Sequence, residues 1–349
     1  MTPLRRLLIL AVAVVLLAGL GTGIVLHAAA QRNRPQAGVT EGKVTLSQPG
    51  RLLLLNATQG THLDELVSVP AAKASGPDAA SGAGIVQASA PRTASGLKCQ
   101  RFFTAAGVGV CLQSSPGALV PTDRAVILDD DLHTLHSFPL QGIPSRARVS
   151  PTGHFAAWTV FVGGESYGSA FFSTRTSIVD TRTWKLIDNL EDFHITLNGK
   201  PYHNIDDNFW GVTFAPDDDT FYATLGTAGH TYLVRGSISR QSVTSLVENV
   251  ECPSLSPDGT RIAYKKRVPT AGAALWHENV LDLRTLKETP LAEHHSVDDQ
   301  ATWLDDDTVA YSLPTPGVTG SQDLWSVPAD GSGSPHLLLS GAFSPAAPQ

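Results

Sequence analysis

The residues with the most obvious chemical potential are Gly164-Glu165-Ser166-Tyr167-Gly168, which match the Gly-x-Ser-x-Gly pattern of a nucleophile elbow. That motif works only where a strand turns sharply into a helix, with an acid and a histidine downstream. Here "VFVGG" precedes it as a strand, but "SAFFSTRTSIVD" follows with strand-like alternation, and no segment is large enough for a hydrolase sheet. Ser166 is therefore expected to sit in a Gly-rich loop between two strands. Three acidic triplets, Asp129–Asp131, Asp217–Asp219 and Asp305–Asp307, lack the Asp-x-Asp-x-Asp-Gly spacing that points carboxylates at calcium, and read as solvated turns. The twelve histidines contain no HExxH pair, so neither a zinc site nor any other cofactor site is expected.

The stretch "DFHITLNGKPYHNIDDNFW", residues 192–210, is the strongest candidate for binding. It gathers His194, Tyr202, His203, Asp206, Asp207 and Trp210 in a connection longer than its equivalents, and long loops on a rigid scaffold often carry function. His294 and Asp298 are additional polar residues whose place relative to these would separate an enzyme from a binding protein. Cys99 and Cys111 bracket "QRFFTAAGVGV", a hairpin that would bring them near disulfide distance; two buried free thiols are the competing reading. Cys252 is left for buried strand packing. The sequon at Asn56 lies in a strand turn and carries no weight.

The elements that must position these residues are short strands. Four related turns recur, "RVSPTGHFAAW" from Arg148, "TFAPDDDTFYA" from Thr213, "SLSPDGTRIAY" from Ser254 and "ATWLDDDTVAY" from Ala301. Pro presets φ at the second turn position, Gly accepts a positive φ, and Asp caps its own backbone. Hairpins recur beside them, beginning at Arg51, Arg124, Thr176, Thr231, Glu278 and Asp323, which points to six small sheets. Thirty-one glycines and 23 prolines suit many turns, and 42% hydrophobic content is enough to build a core.

"SLSPDGTRIAY" followed by "DLRTLKETPLA", and "LDDDTVAY" followed by "DLWSVPADGSGSPHLLL", resemble the TolB-type, WD40-like propeller repeat. The copies near 148 and 213 are looser, and that at 97–140 lacks the turn. The fold class expected is all-β, a six-bladed β-propeller of four-stranded blades over residues 44–345, with residues 346–349 a tail. The blade starting near Arg51 lacks an inner hairpin, which "GAFSP" near the C-terminus is expected to complete. The resemblance implies protein partners held at one face or at the central channel.

Ahead of the propeller, Arg5 and Arg6 precede an apolar run from Leu7 to Leu26. About 20 such residues span a bilayer core, whereas a secretory signal has a shorter apolar region of about 7–15. A transmembrane anchor over residues 1–30 is expected, a signal cleaved near Ala30 and a buried helix being the alternatives. The positive-inside rule would place the propeller outside the cytoplasm. Residues 31–43 read as a polar spacer, and 70–96, rich in Ala, Ser, Gly and Pro, as a flexible loop. With a formal charge of −7 and no basic cluster, nucleic acid is not an expected partner. The expected function is an extracytoplasmic protein-binding or scaffold module at the cell envelope. Two alternatives remain: a hydrolase or lyase with a small substrate in the channel, and a ligand sensor acting through a membrane partner.

Overall fold

The computed structural model describes residues 3–71, 86, 90–114, 123–168, 171–270 and 273–346. Six antiparallel sheets follow one another along the chain. Blade 2 holds strands Arg101–Ala105, Val108–Gln113, Arg124–Leu128 and Thr134–Pro139, and blade 3 holds Ile143–Val149, Phe155–Gly163, Ser173–Asp180 and Leu186–Ile187. Blade 5 holds Glu251–Leu255, Arg261–Thr270, Ala273–Asp282 and Glu288–Pro290, and blade 6 holds Thr302–Trp303, Thr308–Pro314, Gln322–Pro328 and His336–Leu339. In each, the first strand is innermost; turns rich in Pro, Asp and Gly join it to the second in blades 3, 5 and 6, and Ala106-Gly107 does so in blade 2.

Blade 1 closes the ring. Its innermost strand is Ala342–Ala346, hydrogen-bonded to Arg51–Asn56, which pairs with Glu65–Pro70 and then Arg92–Lys98. The last strand and the first are thus laced into one sheet, so neither terminus leaves a long open edge. The short strand Val39–Glu41 adds a fifth, parallel to Arg92–Lys98.

Blade 4 departs most from a four-stranded blade. Its core is Asn208–Phe214, Thr220–Thr227, His230–Ser237 and Ser242–Glu248, and a hairpin adds two outer strands: His194–Leu197, parallel to Ser242–Glu248, and Lys200–Tyr202, antiparallel to His194–Leu197. The long connection expected over 192–210 is therefore largely strand, because "HITLNGKPY" has β-branched alternation around an Asn-Gly turn. Two other boundaries need correction. The loop expected over 70–96 gives way to the strand Arg92–Lys98, and most of its remainder lies outside the described residues. The spacer expected over 31–43 contains the end of the helix and the strand Val39–Glu41.

Cores lie between neighbouring sheets rather than in one central mass. Phe209, Phe221, Ala223 and Val234 of blade 4 pack with Phe155 and Ile178 of blade 3, for example. Alternation is weak in these strands because both faces are covered. Inner strands approach closely: Gly211 has φ +67°, and a Cβ there would stand 2.7 Å from Cys252 Cα of the next blade. Cys99, just ahead of blade 2, is disulfide-bonded to Cys111 on its second strand, with Cα atoms 5.4 Å apart.

The N-terminal helix runs from Pro3 to Arg32, beyond both ends of the apolar run. The side chains of Leu7, Leu8, Ile9 and Ala11 lie outside the described residues, and among those described no helix is long and apolar enough to cross a membrane.

Candidate functional site

Strand order gives the ring two distinct faces. On one lie the Pro-Asp-Gly turns; on the other, called here the entry face, the innermost strands begin and the second strands turn into the third. The acidic triplets belong to tight turns. Asp217 accepts hydrogen bonds from the backbone N–H groups of Asp219 and Thr220, and Asp305 accepts one from Asp307. These donors hold the carboxyl of Asp217 below its ordinary value against the opposing effect of burial.

The entry face carries a groove of about 570 Å³ between blades 3, 4 and 5. Its aromatic wall comes from the blade 3 connection after Gly163 and from the first strand of blade 4. The Tyr167 and Trp210 ring centroids are 5.3 Å apart, and Phe172 stands edge-on to both at 5.4 Å. Phe171 projects from the same connection with 89% of its surface exposed. Asp206, Asn208, Glu248 and Arg267 supply the polar rim.

Of the six residues singled out from sequence, Asp206 and Trp210 line this groove. Asp206 accepts hydrogen bonds from Thr227 Oγ1 at 3.1 Å and from the Ala228 N–H at 2.8 Å. Tyr202 stands behind it, its hydroxyl 2.9 Å from Thr227 Oγ1. Asp207 is buried and its Oδ2 accepts the Asn204 N–H at 2.8 Å, with the Nδ1 of exposed His203 3.6 Å from the same oxygen. His194 is separate, on an outer strand beside Ser242. Ser166 is also on this face, but its Oγ accepts the Gly168 N–H at 3.1 Å, a local turn between two strands.

Beside the groove, at the mouth of the channel, lies a buried ionic cluster that the sequence reading missed apart from Asp298. Glu251, Lys265 and Glu278 are partners across three adjacent strands of blade 5, so all three project from one face of the sheet. All are at most 1% exposed. Arg267 and Trp276 form the next rung, and both donate to Glu251 Oε1, at 3.1 and 3.0 Å. Lys265 Nζ reaches Asp298 Oδ1 at 2.5 Å and lies 4.6 Å from the Tyr167 ring centroid and 4.3 Å from that of Trp276. The Arg146 guanidinium also lies over the Tyr167 ring, 4.9 Å from its centroid. Tyr167 thereby joins the ionic cluster to the groove.

Burial pushes the Glu278 carboxyl up to about 8, with Asp299 and Glu293 adding to the rise and Lys265 opposing it. Neither of its oxygens has a hydrogen-bond partner among the described residues. Burial would raise Asp298 too, yet Lys265 and Arg146 hold it below the carboxylate range. So many enclosed charges are costly, and apolar replacements of similar shape are often more stable. Such clusters in a cleft mark candidate functional sites. The missed signal was "AYKKRV": Lys265 and Arg267 occupy alternate positions of a strand whose neighbours are buried, and the register between Arg261–Thr270 and Ala273–Asp282 sets Lys265 opposite Glu278.

Below the mouth the channel is filled. Arg148 is buried, donates to Ala301 O at 3.1 Å and stacks 4.2 Å over Phe103; burial pushes its guanidinium down to about 10. Gln300 donates to Val212 O and Pro253 O at 3.1 and 2.8 Å. The space left around Arg101, Arg148 and Gln300 is about 20 Å³, room for about one water. The five polar residues that would mark a substrate chamber therefore do not converge. Asp298 is at the mouth, Asp206 in the groove, and His203, Asp207 and His294 lie elsewhere.

No protein-family model and no curated protein matches the sequence. Among solved structures, TolB from Acinetobacter baumannii superposes with a TM-score of 0.51 at 16% identity, covering 86% of this chain and 67% of that one. A chain of the nidogen/laminin complex superposes equally well, TM-score 0.51 at 10% identity, covering 85% of this chain and 97% of that one. Identities this low speak to architecture alone. The chain is a six-bladed β-propeller, similar in architecture to TolB.

Proposed function

We propose that the protein is a binding propeller of the cell envelope. The helix Pro3–Arg32 attaches it to the membrane, and the groove on the entry face receives a segment of a protein partner. The observation that carries this reading is the groove itself: an aromatic wall with Phe171 standing free, on a ring whose channel is filled below. Aromatic side chains supply large contact area at low entropic cost, which is why they dominate interface anchors. The attachment is supported by Leu10, Val12, Val14 to Leu17, Leu20 and Ile24 to Leu26, all exposed on the helix, and by the two arginines before them.

A photo-crosslinking residue in place of Asn208, which lines the groove, tests this in the native host. A discrete adduct with an envelope protein is expected from position 208 and none from Arg284, which lies on the opposite face. Identical patterns from both positions, or no adduct from either, count against it.

A further inference from the structure

The chain joins the ring on the entry face. Arg34 O accepts the Thr61 N–H at 3.2 Å, and Gln36 Nε2 donates to Gln59 O at 3.0 Å, both in the connection between the second and third strands of blade 1. The helix ends at Arg32, so only Asn33 lies between it and this contact, a reach of at most about 7 Å. A membrane holding the helix therefore lies close to the entry face and not to the face of the Pro-Asp-Gly turns. A single tether at blade 1 would still leave the ring free to tilt.

A second feature removes that freedom. Outside the helix, the exposed large apolar side chains among the described residues are Leu135, Ile143, Val162, Phe171, Ile205, Leu286 and Val318. Four of them, Ile143, Val162, Phe171 and Ile205, share the blade 3–4 sector of the entry face. Ile143 begins the innermost strand of blade 3, and Val162 ends its second strand. Phe171 is in the connection that follows, and Ile205, fully exposed, leads into blade 4. Blade 4 lies across a six-membered ring from blade 1. Tether and apolar sector thus sit at opposite rims of one face.

We infer that the entry face lies against the lipid bilayer, with Phe171 and Ile205 seated at its interface and the helix entering at the far rim. This rests on the membrane attachment proposed above. Apolar and aromatic side chains gain free energy at the interface in proportion to the area they bury there. The groove between the two contacts then opens at headgroup level, so the segment it receives is juxtamembrane.

The test uses the full-length chain in phosphatidylcholine vesicles, labelled with an environment-sensitive fluorophore at F171C, I205C or R284C. Cys252 is buried and Cys99 is bonded to Cys111, so neither competes for the label. Labels at 171 and 205 are expected to shift to the blue and to be quenched about twofold or more by headgroup-proximal doxyl lipids, with the label at 284 unaffected. Equal, water-like emission at all three positions on vesicle-bound protein overturns the inference and leaves the attachment standing. Protein that fails to float with the vesicles overturns the attachment, and the inference with it.

Discussion

Lys265 and Glu278 face each other across two strands of blade 5, both wholly buried, yet the lysine bonds elsewhere. Its Nζ lies 2.5 Å from Asp298 and 3.9 Å from Glu251 Oε2, while both Glu278 oxygens have no hydrogen-bond partner among the described residues. A carboxyl so placed favours its neutral form. Folded Glu278, raised from 4.5 to about 8, retains a proton that the unfolded chain has already released. Stability contributed by this group is thus present at low pH and lost as pH climbs through about 8. Asp298 and Glu293, both held low, act in the opposite sense and only in the acid range. Urea unfolding is expected to show stability falling from pH 5.5 to 8.5. Glu278→Gln should flatten that slope and exceed wild type at pH 8.5 by on the order of 2 kcal/mol. An unchanged slope in the variant would show that Glu278 is not the group responsible.

Lys265→Met removes the cation that Asp298 and Glu251 share. Breaking a buried pair from one side costs about 3–5 kcal/mol because the remaining charges have no compensation. The double variant Lys265→Met/Glu251→Gln should recover part of this loss in the same unfolding experiment, since it removes one uncompensated carboxylate.

Gly211→Ala probes the packing of inner strands. The position has a left-handed φ of +67°, and the new methyl would meet Cys252 Cα at 2.7 Å. Strain and overlap together should destabilise the ring by on the order of 3 kcal/mol, read as a lower denaturant midpoint.

The Cys99–Cys111 bridge has a sequence separation of 12 and should contribute about 3 kcal/mol by restricting the unfolded chain. Cys99→Ala/Cys111→Ala is expected to lower the melting temperature, and reductant should have little further effect on the variant.

Phe171→Ser should leave stability within about 0.5 kcal/mol of wild type, because the side chain is almost wholly exposed. The same change should reduce partner crosslinking from a neighbouring groove position such as Asn208. Loss of stability instead would assign Phe171 a structural role.

Much of the ring was legible before the structure, for local reasons. Turn chemistry at Pro257-Asp258-Gly259 and the related sites is written into adjacent residues, as are the apolar strand runs beside them, so the sheets and their number could be counted. The disulfide pairing rested on a short hairpin, also a local feature. The hairpin inside 192–202 is harder to see in the sequence, because its turn, Asn198-Gly199, lies within a polar stretch that reads as one long loop. Function-bearing geometry is another matter. Asp206 and Trp210 come to the groove, but Tyr167, Phe172 and Arg267 reach it from other blades, and no sequence spacing encodes the distance between blades. Lys265 and Arg267 read as ordinary strand charges until ring closure covers both faces of blade 5 and encloses them with Glu278 and Asp298. Short apolar runs and turn residues determined the strands by themselves, because these act within a few residues. Which charges are buried, which aromatic rings meet, and that the helix joins the ring on the groove's face were decided only when the ends were laced into one blade, because these depend on contacts between residues far apart in the chain.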